Sequence, residues 1–125
     1  MADTSAQGAG TETSGSVADL VVRRLEDWHV DRIFGYSGDG INPLLGALRR
    51  AGGPAFVQAR HEEAAAFMAV AHAKYTGRVG VVTATQGPGA VHLLNGLYDA
   101  RMDSAPVVAL VGQQSRTVLG SAYQQ

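Results

Sequence analysis

The chain has 125 residues, 46% of them hydrophobic and 17% charged, with a formal net charge of −1 and no cysteine. That balance describes one domain with a buried core, and it excludes a disordered chain, a disulfide framework and a thiolate metal site. Its ten basic residues form no run and no segment nears the roughly 20 apolar residues of a membrane span, so neither nucleic acid nor a bilayer is an expected partner and a cytoplasmic setting is expected.

Residues 1–15, MADTSAQGAGTETSG, offer no apolar anchor to offset the entropy of ordering and are predicted to form a flexible tail. One domain follows, from 16 to 125. Ser16 and Asp19 have the spacing of a capping box, and Val17, Leu20, Val21 and Leu25 keep helical period, so a helix is predicted to end near Trp28. Arg32 to Tyr36 reads as a short buried strand, and Ser37-Gly38-Asp39-Gly40 as a turn in which glycine admits positive φ. Pro43 suits the first turn of a helix with Leu44, Leu45 and Leu48 on one face, and Gly52-Gly53 ends it. A strand at Ala55 to Ala59, a helix at Glu62 to Tyr75, a strand at Val79 to Thr85, a helix at Ala90 to Ala100 and a strand at Val107 to Val111 complete the order.

Strict strand-helix alternation with continuous apolar strands predicts an α/β fold: an open parallel sheet with helices on both faces, a flavodoxin-like three-layer arrangement. Four strands are counted. The polar, small-residue stretch that closes on Tyr123-Gln124-Gln125 gives the expectation of a longer chain cut short at its C-terminus.

Ligands of such sheets sit outside the carboxyl ends of the strands. Two segments fall there: Arg60-His61-Glu62-Glu63, between a strand and an alanine-rich helix, and the glycine turn Gln86-Gly87-Pro88-Gly89. The turn lacks the third glycine of the dinucleotide fingerprint, whose place is taken by His92, and lacks the Gly-Lys-Ser/Thr of a phosphate loop. It is read as a tight turn that lets backbone approach a ligand or a neighbouring subunit. For Glu63, ordinary helix-start chemistry is sufficient. Glu62 precedes Ala64, Ala65, Ala66 and Ala69, small residues that let another body pack closely, so its carboxyl is expected to be desolvated and to keep its proton. His29 and His72 are read as structural or solvated, and no two histidines stand at the i, i+4 spacing of metal ligands, so no metal site is expected.

Together Phe34-Gly35-Tyr36-Ser37-Gly38, Arg60-His61-Glu62-Glu63-Ala64-Ala65, Thr76-Gly77-Arg78-Val79-Gly80-Val81, Gly87-Pro88-Gly89, His92 to Ala100 and Ala105 to Leu110 resemble the N-terminal pyrimidine-binding domain of thiamine diphosphate enzymes, in the pyruvate oxidase and acetolactate synthase branch. The resemblance runs from about Ser16 to Gln125. It implies that Glu62 hydrogen-bonds N1′ of the aminopyrimidine and so promotes loss of the thiazolium proton. The cofactor then attacks a 2-keto acid such as pyruvate, and decarboxylation leaves an enamine that passes to an acceptor. It further implies that Gly35, Tyr36, Ser37 and Gly38 line the pyrimidine pocket. Gly87, Pro88, Gly89 and Asn95 would lie near cofactor and subunit interface, and His92 and Gln125 would line the active site.

Relatives commonly carry proline where Ser37 stands, and Gly38-Asp39-Gly40 is not the family's diphosphate motif, because its asparagine-bearing partner segment is replaced by Ala64-Ala65-Ala66-Phe67. The genuine motif, with Mg, belongs to a separate C-terminal domain, and FAD to a middle domain of those parents that carry it. The fragment alone is therefore expected to be inactive and to self-associate, as homodimer or homotetramer, through exposed alanine- and glycine-rich surface at Ala64 to Ala69 and Gly87 to Gly96. On the residues alone a second class stays open: a non-catalytic flavodoxin-like binding or interaction module.

Overall fold

A computed structural model describes residues 15–122; the predicted tail, except Gly15, lies outside the described residues, as does Gln125. Helix α1 spans Val17–Asp27, strand β1 Arg32–Gly35, and a single 3₁₀ turn Asp39–Ile41 leads into α2, Asn42–Ala51. Then come β2 at Ala55–Gln58, α3 at Glu62–Thr76, β3 at Gly80–Ala84, α4 at Pro88–His92, α5 at Leu94–Met102 and β4 at Val107–Val111. The four strands form one parallel sheet in the order β2-β1-β3-β4.

Local chemistry sets most of the boundaries. The capping box forms as expected, with Asp19 N–H donating to Ser16 Oγ at 3.2 Å and Ser16 N–H donating to Asp19 Oδ2 at 2.8 Å. Pro43 lies in the first turn of α2, and Gly52 ends that helix in the left-handed region at φ 62°. The helix predicted from Ala90 to Ala100 is two helices, α4 and α5. At Leu93 the chain tightens, its N–H bonding Ala90 O at 3.2 Å, and this fully buried side chain turns into the core.

Alternation along the strands splits the core in two. Ile33, Val81 and Leu110 face α1 and α2, where they meet Val22, Leu25, Ala47 and Leu48. Phe34, Val82 and Ala109 face α3 and α5, where they meet Ala65, Ala66, Ala69, Leu93 and Leu97. The expected helix, sheet, helix sandwich is therefore present, and each fully buried aliphatic such as Ile33 or Leu93 stabilises it by about 1.5–3 kcal/mol.

Ala65, Ala66 and Ala69 are fully buried inside this chain, which corrects the expectation of an exposed alanine surface there. The body that packs closely on them is α5. A Cβ on Gly96 would come within 2.9 Å of the Ala66 carbonyl carbon and 3.0 Å of Phe67 N. Gly96→Ala is accordingly expected to lower the urea-unfolding free energy by about 1–3 kcal/mol through overpacking. Gly46→Ala, whose Cβ would meet only the flexible Arg50 guanidinium at 3.3 Å, should raise it by about 0.5–1 kcal/mol.

Candidate functional site

Strand order reverses between β1 and β3, so the connections leaving these strands diverge and open a crevice at their carboxyl ends. Thr85, directly after β3, ties its two sides together. Its Oγ1 accepts from Gly40 N–H at 3.1 Å and donates to Gln86 Oε1 at 2.8 Å. Gly38 lies against it so closely that a Cβ would be 2.7 Å from Thr85 Cβ. Neither Gly38 nor Gly40 has positive φ, contrary to expectation; glycine is required here by close approach. The sequence signal for this role is a polar residue that ends an apolar strand run just before a glycine turn.

Gly87, in the segment read as a tight turn, adopts φ 62° and ψ −123° and swings the chain so that buried Gly89 faces α3. A Cβ on Gly89 would be 2.9 Å from Thr85 Cγ2 and 3.3 Å from Glu62 Oε1. The turn thus presents bare backbone beside the carboxyl.

Glu62 is the first residue of α3, with a side chain only 12% exposed. Its Oε2 lies 2.9 Å from His92 Nδ1, the imidazole donating to the carboxylate. The rings of His92 and His61 stack, centroids 4.5 Å apart and 29° between planes. His61 in turn caps α3, its Nδ1 accepting Glu63 N–H at 3.2 Å. Burial pushes the Glu62 carboxyl upward, but the hydrogen bond from His92, the bond from its own backbone amide and the two nearby imidazoles together outweigh it. The carboxyl rests below its ordinary value, which corrects the expectation of a retained proton. The physical reason is that desolvation, although the largest single effect, is opposed by two hydrogen bonds and two imidazoles that the fold brings to the carboxyl.

Asn95 Nδ2 donates to Glu63 Oε2 at 3.0 Å, so both belong to a clamp between α5 and α3 next to Glu62. Tyr36, Gln58, Ala59 and Arg60 line a cleft of 470 Å³ at the ends of β1 and β2, with Ser37 exposed beside it. Gly35 ends β1 beneath that cleft. Gln125 lies outside the described residues. His29, in the left-handed region at φ 58°, and His72, 3.8 Å from Asp31 at the opposite edge of the sheet, take no part. His61, part of the Arg60-His61-Glu62-Glu63 segment, stands 31 positions from His92, and only the fold brings the two rings together.

The family model described as thiamine pyrophosphate enzyme, N-terminal TPP binding domain, matches residues 15–125. The chain belongs to this family. A putative thiamine pyrophosphate-containing protein, YdaP, of Bacillus subtilis is 52% identical over 102 residues, which cover 81% of this chain and 18% of the relative. The pyruvate oxidase of Lactiplantibacillus plantarum is 47% identical, over 78% of this chain and 16% of its own length. Acetolactate synthase isozyme 2 large subunit of Escherichia coli is 45% identical, over 86% and 20%. The chain spans between 16% and 20% of the length of these relatives. The residues at the crevice fit a TPP-binding domain: Glu62 Oε1, the oxygen not engaged by His92, lies beside the bare backbone of Gly89. Among the described residues no helix is long and apolar enough to cross a membrane.

A carboxyl held below its ordinary value of 4.5 contributes stability that is complete above that pH and is lost as pH falls through the folded-state value. Carboxyl-carbon NMR should therefore give Glu62 a midpoint below 4.5. In His92→Ala, without the strongest lowering partner, the midpoint should move up and the acid limb of stability should begin at higher pH.

Proposed function

We propose that this chain is the pyrimidine-binding part of a longer thiamine diphosphate-dependent enzyme that acts on a 2-keto acid such as pyruvate, in the manner of a pyruvate oxidase or acetolactate synthase. The observation that carries the reading is the Glu62 carboxyl, nearly buried at the β1/β3 crevice with one oxygen held by His92 and the other beside bare Gly89 backbone. When bound, the cofactor supplies a thiazolium carbon that can be deprotonated, add to the keto carbon and accept the electrons released by decarboxylation.

The chain's own residues supply proton control and position. Glu62 would hold N1′ of the aminopyrimidine through a shared proton. At rest the carboxyl is ionised; a ring covering it removes the remaining water and raises its proton affinity, so proton sharing begins when the site is filled. Gly35, Tyr36, Ser37 and Gly38 would form one wall and Gly87, Pro88 and Gly89 the other, held in register by Thr85. Asn95, through Glu63, keeps α5 seated so that His92 stays on Glu62. Gln125 and His92 would face the substrate.

The diphosphate and its Mg, and FAD where the parent uses it, would be held by parts of the longer polypeptide. Assembly as a homodimer or homotetramer draws support from Phe67, Val91, Leu94, Tyr98 and Met102, large apolar side chains 42–64% exposed on α3, α4 and α5. Sedimentation velocity of the chain should show concentration-dependent association; a monomer at every concentration removes this part of the reading.

In the full-length enzyme, Glu62→Gln should slow proton-deuterium exchange at the thiazolium carbon by about 10²–10⁴, the usual worth of general acid-base catalysis, while the cofactor remains bound. Unchanged exchange would defeat the assignment and favour a non-catalytic binding module.

A further inference from the structure

We propose that His61, Glu62 and His92 form a binding site for a divalent transition metal, of which zinc suits the donor set best. One ligand atom from each residue lies within 4.8 Å of the other two, and the Glu62 Oε2 to His92 Nδ1 pair is already at 2.9 Å. Zinc bonded at about 2.0–2.2 Å in tetrahedral geometry needs ligand atoms about 3.4 Å apart, so only modest closure is required. The residues that must move can do so: His61 is exposed and the His92 side chain is 44% exposed, so both rings can rotate. Glu62, nearly buried, is the fixed member against which they close.

The donor set is equally specific. Two imidazoles and one carboxylate suit zinc, and three protein ligands leave a fourth position for water or an exchangeable ligand. Outside the site, His61 and His92 serve a helix cap and a hydrogen bond, but those roles do not require two stacked imidazoles over one carboxylate at the mouth of a crevice. Coordination changes both roles. The metal takes the place of the proton that His92 shares with Glu62, and that proton moves to His92 Nε2, so the ring stays neutral. It also displaces the cap, because a neutral His61 ring with a metal on either nitrogen no longer offers Nδ1 to the Glu63 amide. Since the metal would occupy Glu62, zinc and the pyrimidine ring exclude one another. That consequence rests on the functional reading above, whereas the site itself does not.

The test uses the 125-residue chain with zinc alone and no cofactor, so that its failure leaves the role of Glu62 in cofactor binding untouched. Titration calorimetry should give one saturable site with micromolar or tighter Kd, and cobalt(II) should develop the intense visible d–d bands of four-coordinate geometry. His61→Asn retains a good capping residue and His92→Gln an amide donor to Glu62, so circular dichroism melts of both should stay near wild type. Each should bind zinc more weakly by at least about a hundredfold, the upper range for loss of a mere supporting group. Glu62→Gln, which keeps both imidazoles, provides a third variant should either histidine change impair folding. Absence of saturable binding in the wild type, or variants that bind as tightly as the wild type, would overturn the site.

Discussion

Helix α3 can lie as close to the sheet and to α5 as it does because its inward face carries little beyond methyl groups. Ala65, Ala66, Ala69 and Ala73 are buried, and they meet glycines: Gly96 of α5 lies on Ala66, and Gly80 of β3 lies under the carbonyl of Ala69. Such contacts bury little apolar area per residue, so their stabilisation comes from close packing rather than from large side chains. What they give the molecule is a fixed distance. With α5 pressed onto α3, Asn95 reaches Glu63, and the short α4 ahead of it holds His92 against Glu62. An extra methyl at Gly96 would spread the two helices and move the imidazole off the carboxylate, and one at Gly80 would push α3 off the sheet.

That distance decides the electrostatics of the crevice. A carboxyl withdrawn from water tends to keep its proton, but one that accepts a hydrogen bond from an imidazole and another from a backbone amide favours its charge. At Glu62 the second effect wins, and the resting site is a carboxylate flanked by two rings with nitrogen donors. Its ionisation is conditional on what covers it. Anything that displaces water without providing a donor raises its proton affinity, and anything cationic replaces the proton that His92 lends. A site with these two responses suits a heterocycle that must exchange a proton, and the same groups suit a metal ion.

Ion pairs elsewhere are of a different kind. Asp31 collects Arg32 and Arg78 at the opposite edge of the sheet, and Lys74 bridges Asp99 and Asp103 between α3 and α5. These groups are solvated, and such pairs contribute little to stability. Their value is placement, since these pairs lie away from Glu62 and its two imidazoles.

Much of this protein is determined by short-range pattern. Helix caps at Ser16 and Gly52, the parallel strands, the helices on both faces and the position of Glu62 at a strand's carboxyl end all follow from residue type and spacing, because caps and periodicity act within one or two turns. The glycine turn at Gly87 was legible for the same reason. What the tertiary structure alone decided are relations between distant segments. Gly38 and Gly40 are needed for contact with Thr85 and Gln86 rather than for their dihedral freedom, and the alanines after Glu62 serve α5 rather than a ligand. The break at Leu93, the stacking of His61 on His92 and the ionised state of Glu62 belong to the same group. Each depends on which side chain occupies the space opposite, and that is set by the crossing of helices and strands far apart in the chain.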